Sequence, residues 1–228
     1  MPASAGKADR PIRAAFDGVM RIARESLPIA ALLAAAGVAL WLWVHPWAAV
    51  VPLLLLLFTL WFFRDPERRT PQDPDALISP ADGKIIKAET REISIFMNVF
   101  SVHVCRAPMA GTVETVQHVP GRFLAAFKDH ASEQNERTSI VLTDGRRRLG
   151  VTLVAGLIAR RIVCKVSPGQ LLQSGERLGL IQFGSRVDVA LPEGGSVEVE
   201  LGQHAVAGET ILATLEPEPA ATDPEKVP

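Results

Sequence analysis

The sequence predicts a mainly β domain preceded by an N-terminal α-helical membrane hairpin. Three observations lead there. Residues 26–63 contain no Asp, Glu, Lys or Arg. After residue 76, short β-branched or alternating runs follow one another, separated by Gly, Pro and Asp turn signals. Two of them, Val-Asp-Val-Ala-Leu at 187–191 and Val-Glu-Val-Glu-Leu at 197–201, alternate at period two, as half-buried strands do. Within that class the expected form is a β-sandwich or barrel-sandwich.

Residues 1–26 form an N-terminal segment carrying Lys7, Arg10, Arg13, Arg21 and Arg24. Residues 27–63 are the hairpin. One straight helix over the charge-free run would be about 57 Å long, against a hydrocarbon core of about 30 Å. The run is therefore cut at His45-Pro46 into 27–44 and 47–63, with Pro52 interrupting the second piece. Trp41, Trp43, Trp47 and Trp61 lie near the ends of these pieces, where indole rings favour the headgroup zone. Basic residues flank both sides, with Arg64, Arg68 and Arg69 following the run. Both ends are thus expected on the cytoplasmic face of the cell (inner) membrane. The apolar run is too long for a cleaved signal peptide, and no cleavage site follows it.

Residues 64–76 are charged and proline-rich and read as a linker. Residues 77–215 hold the β domain, with strands expected at 84–88, 93–104, 112–118, 139–142, 149–155, 162–165, 177–182, 187–191, 196–201 and 210–215. A helix is expected only near 122–128. Residues 216–228 read as a loose acidic tail. Gly169-Gln-Leu-Leu-Gln-Ser-Gly-Glu176 is echoed by Gly202-Gln-His-Ala-Val-Ala-Gly-Glu209, and Pro80-Ala-Asp-Gly83 by Pro108-Met-Ala-Gly111. Such units resemble the β-sandwich of biotinyl and lipoyl carrier domains.

The 228 residues carry 24 basic and 25 acidic side chains, a net charge of −1, which excludes the strong basic excess of a dedicated nucleic-acid binder. The two cysteines, Cys105 and Cys164, form no C-x-x-C pair, so neither a zinc ribbon nor a disulfide framework is indicated. No metal site is expected. There is no Gly-x-Ser-x-Gly elbow and no His-Glu-x-x-His, which disfavours an α/β-hydrolase and a metalloprotease.

Three segments carry candidate chemistry: Ser79-Pro-Ala-Asp82-Gly, Asn98-Val-Phe-Ser-Val-His103-Val-Cys-Arg106-Ala-Pro and Phe183-Gly184-Ser185-Arg186. Gly184-Ser185 lies between two strand-like runs, unlike Gly195-Ser196 in its flexible turn. A serine so restrained suits a nucleophile aimed at one carbonyl. One Asp, one His and one Ser could form a relay in which Asp82 orients His103 and His103 deprotonates Ser185.

The apolar hairpin ending in Trp61-Phe-Phe-Arg-Asp-Pro66, followed in order by these three segments, resembles the short, archaeal-type form of phosphatidylserine decarboxylase across roughly residues 27–215. Phe-Gly-Ser-Arg stands where the long form has Leu-Gly-Ser-Thr, and Cys105 stands where a polar residue such as asparagine is expected. The resemblance implies a proenzyme that cuts itself between Gly184 and Ser185, leaving a covalent pyruvoyl group in place of Ser185. It implies that this group decarboxylates phosphatidylserine, through a Schiff base, to phosphatidylethanolamine and CO2. His103 would be the base and Asp82 its orienter. Expected partners are phosphatidylserine in the membrane and the two cleavage chains paired with each other, with a homo-oligomer open and no nucleic acid. Arg106 and Arg186, close to the motifs, are candidates for binding the substrate phosphate or carboxylate. Asn135-Glu136-Arg137 could shape the site, and Arg146-Arg147-Arg148 could touch anionic lipid.

Two alternatives stand beside this reading. A membrane-tethered biotinyl- or lipoyl-like carrier would need a lysine at its hairpin tip, and Pro108-Met109-Ala110-Gly111 offers none. A pyruvoyl decarboxylase acting on a soluble amino acid would have no use for the hairpin.

Overall fold

The computed structural model describes residues 21–126, 131–157, 161–182 and 184–215. In it the charge-free run folds back on itself. Strand β1 (Arg21–Ile22) and a 3-10 turn at Arg24–Ser26 lead into helix α1 (Leu27–Trp43). A second 3-10 turn, Pro46–Ala49, opens helix α2 (Val50–Phe62), and β2 (Arg64–Asp65) returns to pair with β1. The break therefore falls at His45-Pro46. Pro52 does not interrupt the second helix. It stands in the first turn of α2, where a backbone N–H has no intrahelical acceptor to lose. It is buried against α1, and a Cβ added to Gly37 would lie 3.6 Å from its Cγ, so a small residue lets the helices close. Arg24–Trp43 is long and apolar enough to cross a membrane, and only 6% of its apolar window is buried in protein; Pro46–Phe62 is shorter.

The β part consists of β3 (Ala76–Ile78), β4 (Gly83–Glu89), β5 (Glu92–Met97), β6 (Val104–Arg106), β7 (Gly111–Val119), β8 (Arg137–Thr143), β9 (Arg148–Val154), β10 (Ile162–Cys164), β11 (Leu171–Leu172), β12 (Arg177–Ile181), β13 (Ser185–Ala190), β14 (Gly195–Val197), β15 (His204–Ala205) and β16 (Ile211–Leu215). The chain is thus mainly β, as its sequence predicts. An eight-stranded antiparallel sheet runs β11-β7-β8-β9-β13-β5-β4-β15, with three-stranded sheets β10-β12-β6 and β14-β16-β3 beside it. Ile95, Val151 and Val187 are fully buried in one continuous core. Strand β13 lies in the middle of the large sheet, between β5 and β9.

The two glycine echoes have matching hydrogen bonds. Gly169 N–H donates to Val113 O and Gly202 N–H to Ile85 O, each at 2.8 Å. Gly175 N–H donates to Ala107 O at 2.9 Å and Gly208 N–H to Ser79 O at 2.8 Å. The two-residue strand in each, β11 or β15, pairs with the start of a long strand at Gly111 or Gly83. The repetition is a property of the fold. The carrier-type tip is not: in Pro108–Gly111, Met109 is buried in the core.

Two expectations are revised. Strand 93–104 ends at Met97, because the Asn98 side chain accepts the Phe100 N–H at 2.8 Å and turns the chain. No helix forms over 122–126; residues 127–130 lie outside the described residues, and one helical turn, α3, occupies Ala131–Gln134. The 64–76 segment is docked on the domain. Asp65 is buried between Arg106, at 2.7 Å, and Arg177, and the Arg69 N–H donates to Glu209. Residues 1–20 and 216–228 lie outside the described residues.

Candidate active site

Ser185 is the first residue of β13 and is fully buried. It pairs with Met97, the last residue of β5, and its hydroxyl donates to the Met97 thioether at 3.3 Å. Sulfur is a weak acceptor, so the hydroxyl is positioned without being tied to a strong partner. Gly184 has φ +62°, in the left-handed region that residues with a Cβ rarely enter. Its carbonyl oxygen lies against the backbone of Gly156, where an added Cβ would stand 1.5 Å from that oxygen. Phe183 lies outside the described residues.

Gly156 is fixed from behind. Asn135 is fully buried and accepts the Leu124 N–H at 2.8 Å. Its amide donates to Leu124 O at 2.8 Å and to Ala155 O at 2.7 Å. The Ala155 N–H in turn donates to Glu136 O at 2.9 Å. The Asn-Glu-Arg segment therefore holds the strand end that backs the Gly184 carbonyl. Asn135→Ala removes three hydrogen bonds from a buried position and should destabilise the domain by about 3 kcal/mol. Chemical denaturation would measure this, and an unchanged midpoint would show that the clamp is not structural.

His103 stands at the end of the loop that begins after Met97. Its carbonyl accepts the Ile181 N–H at 3.2 Å, which places it beside the chain approaching Gly184. The imidazole is 2% exposed and stacks on Phe62, the last residue of α2, with centroids 4.4 Å apart. Nδ1 lies 2.9 Å from Ser101 O, and a carbonyl can only accept, so Nδ1 carries the proton. Nε2 is then the basic nitrogen; it is buried and has no partner. Burial pushes the imidazole down to about 4, with the Ser101 carbonyl opposing and the Arg64 charge adding to the fall. At neutral pH it is an uncharged base with a free lone pair.

The expected Asp82–His103 hydrogen bond is not made in this structure. Both Asp82 oxygens bind Arg68, at 3.0 and 2.9 Å, and Oδ1 also accepts the Ala207 N–H at 2.7 Å. A guanidinium is a stronger partner for a carboxylate than a neutral imidazole is. Nor do Ser185 and His103 bond to each other: the first donates to Met97 and Nε2 is unpaired. Ser185 lies at the end of the large sheet where β5 and β9 finish and β13 begins, and His103 is tied by its carbonyl to Ile181, four residues before Ser185.

The two candidate substrate cations are engaged internally. Arg106 holds Asp65, Pro66 O and Gly175 O, which latches the linker. Arg186 is 5% exposed and binds Asp188 at 2.5 Å and Ser94 at 2.8 Å. Arg147 and Arg148 pair with Asp144, Asp75 and Glu114 at the opposite end of β9 from the site. Cys105 is buried beside His103, and burial, with the Asp82 charge, pushes its thiol up to about 12, so it stays protonated. No group of metal-ligating side chains occurs among the described residues.

Met97, Gly156, Phe62 and Arg68 escaped the sequence reading. Met97 and Gly156 lie in no quoted motif, and Phe62 and Arg68, within or just after the Trp61–Pro66 segment, act on partners elsewhere in the chain. Only Gly156, a glycine closing a predicted strand, left a local signal.

A sequence profile of the phosphatidylserine decarboxylase family matches residues 55–213. The chain is 51% identical over 175 residues to the phosphatidylserine decarboxylase proenzyme of Desulfotalea psychrophila, covering 72% of this chain and 82% of that protein. It is 44% identical over 208 residues to the protein of the same name from Syntrophus aciditrophicus, covering 85% of this chain and 97% of that one.

Proposed function

The chain belongs to the phosphatidylserine decarboxylase family and is a decarboxylase, and on that premise we propose that it cuts itself between Gly184 and Ser185, converts Ser185 into a pyruvoyl group, and decarboxylates phosphatidylserine to phosphatidylethanolamine. The observation that supports this best is the setting of the Gly184–Ser185 peptide. Its carbonyl lies against Gly156, its serine is buried on a weak acceptor, and the histidine that holds Ile181, just upstream, has a buried, unpartnered imidazole nitrogen. These residues fit a pyruvoyl group built in place, which requires a strained glycine, a buried hydroxyl and a neutral base.

In the cut, Ser185 Oγ attacks the Gly184 carbonyl carbon. His103 Nε2 takes the hydroxyl proton and returns it to the Ser185 nitrogen as the C–N bond breaks, leaving an ester. Loss of the Ser185 α-proton expels the Gly184 carboxylate and leaves a dehydroalanine. Water then replaces its nitrogen, ammonia departs, and a ketone remains at position 185. The two chains stay together, because β13 is hydrogen-bonded between β5 and β9, β15 to β4 and β16 to β3.

The pyruvoyl group supplies an electron sink for the pair left behind when CO2 departs. His103 Nε2, neutral at rest, would relay a proton taken from solvent water to the former α-carbon, and an imidazolium whose pKa is this low surrenders its proton readily. Asp82 serves as a positioning residue: through Arg68 and Ala207 it fixes the Ser79–Gly83 turn against the domain. The apolar hairpin keeps the site at the membrane, on its cytoplasmic side, where the lipid substrate is held at high local concentration.

A denaturing mass spectrum tests the proposal. Two chains, 1–184 and 185–228, are expected, the smaller one resistant to Edman sequencing. Ser185→Ala should give one intact chain. An intact chain with ordinary serine in correctly folded wild-type protein would overturn the proposal.

A further inference from the structure

We propose that the Val99-Phe100 loop tip and Leu157, which follows β9, form an apolar rim that dips into the headgroup–acyl boundary of the bilayer and opens the site directly onto the lipid surface. Phe100 is 69% exposed and Leu157 63%, while Val99 is 37% exposed. These side chains are not scattered. The Val99-Phe100 loop leaves β5 at Met97, which pairs with Ser185, and ends at His103. The chain leaves β9 after Val154, which pairs with Arg186, and reaches Leu157 through Gly156, against the Gly184 carbonyl. Both therefore hang on the strands that flank Ser185.

The occupant follows from continuity with the hairpin. Phe100 meets Trp61 of α2 edge-on, with centroids 6.1 Å apart. Arg64 lies over the same indole at 4.1 Å and donates to Phe100 O at 2.7 Å. An aromatic pair with a cation above it, at the polar end of an apolar helix, is the arrangement that settles at a membrane interface. The Asn98 side chain, accepting the Phe100 N–H, and the Asn98 carbonyl, accepting the Ser101 N–H at 3.0 Å, hold the loop in shape. Phe100 is thus presented outward by a built turn.

The proposal rests on the reading of the hairpin as membrane-embedded and of the substrate as a membrane lipid. The test uses the full chain in phosphatidylcholine–phosphatidylserine vesicles, with Cys164→Ser and single nitroxide-labelled cysteines at 99, 100, 157 and, at the far end of β9, 148. Spin relaxation by oxygen should exceed relaxation by a water-soluble nickel complex at 99, 100 and 157, with the order reversed at 148. Nickel access at 100 and 157 equal to that at 148 overturns the rim. A mass spectrum of each sample separates the two readings. A cut chain with a water-exposed rim removes the surface and keeps the chemistry; an uncut chain with a lipid-exposed rim does the opposite.

Discussion

Alanine at position 156 will leave the chain uncut. Its Cβ would stand 1.5 Å from the Gly184 oxygen and 2.7 Å from the Gly184 carbon, so one backbone must move. The 155–156 segment resists, because Ala155 is held by Asn135 through its carbonyl and by Glu136 through its N–H. The carbonyl under attack is the partner that yields. A displacement on the order of 1 Å at a reacting centre slows a positioned reaction by about 100-fold or more. The rate at which fragment 185–228 accumulates, read by denaturing mass spectrometry, measures this. Gly150→Ala, in β9 just upstream, is the control: its added Cβ meets only the Ala190 side chain, at 3.2 Å, and it should be cut at the normal rate. A Gly156→Ala chain that matures as fast as the control would show that the close contact has no part in the cut.

Local chemistry explains why the hairpin, the strands and the reacting residues were legible before any fold was known. An absence of charge over residues 26–63, a His-Pro break and alternation at 187–191 are all short-range signals. Ser185 and His103 stood out through the ordered set of motifs around them, since Gly-Ser and a histidine in a strand are each common on their own. The supporting residues gave no such signal. Met97 lies 88 positions from Ser185, and Arg68 reaches Asp82 only because the docked 64–76 segment runs beside that turn. Phe62 looked like one more apolar residue of a membrane helix. The 122–128 stretch has helical composition, yet in its described part the Leu124 backbone is taken by Asn135 and the Arg122 backbone by Gln134 and Glu136. Long-range hydrogen bonds there override local propensity.

Phe62→Ala will move the acid limb of self-cleavage toward neutral pH. In the wild-type chain the base is unprotonated down to a pH of about 4, so the cut should run at an even rate from pH 8 to about 5 and halve near 4. An ordinary histidine would halve it near 6.5. Burial is the first cause of that depression, and the Phe62 ring, 4.4 Å away and fully buried, is one wall of the enclosure. Removing the ring admits water, eases the charged form and should raise the acid limb by about one pH unit or more. Stability should follow the same sign. The folded value lies below the unfolded one, so the unfolded chain binds more protons between about pH 4 and 6.5, and stability falls as pH drops through that window. The alanine variant should show a shallower fall from a lower plateau, since truncating a buried phenylalanine costs about 3–5 kcal/mol. Phe62→Leu keeps apolar volume over the imidazole and should retain the low acid limb with a smaller loss of stability. If neither variant shifts the profile, the ring does not govern the base. If alanine shifts it and leucine does not, the last residue of the apolar hairpin sets the protonation of the group that cuts the chain. An undocked hairpin would then leave the proenzyme with a charged, inactive base in mild acid, so that processing depends on the hairpin being in place.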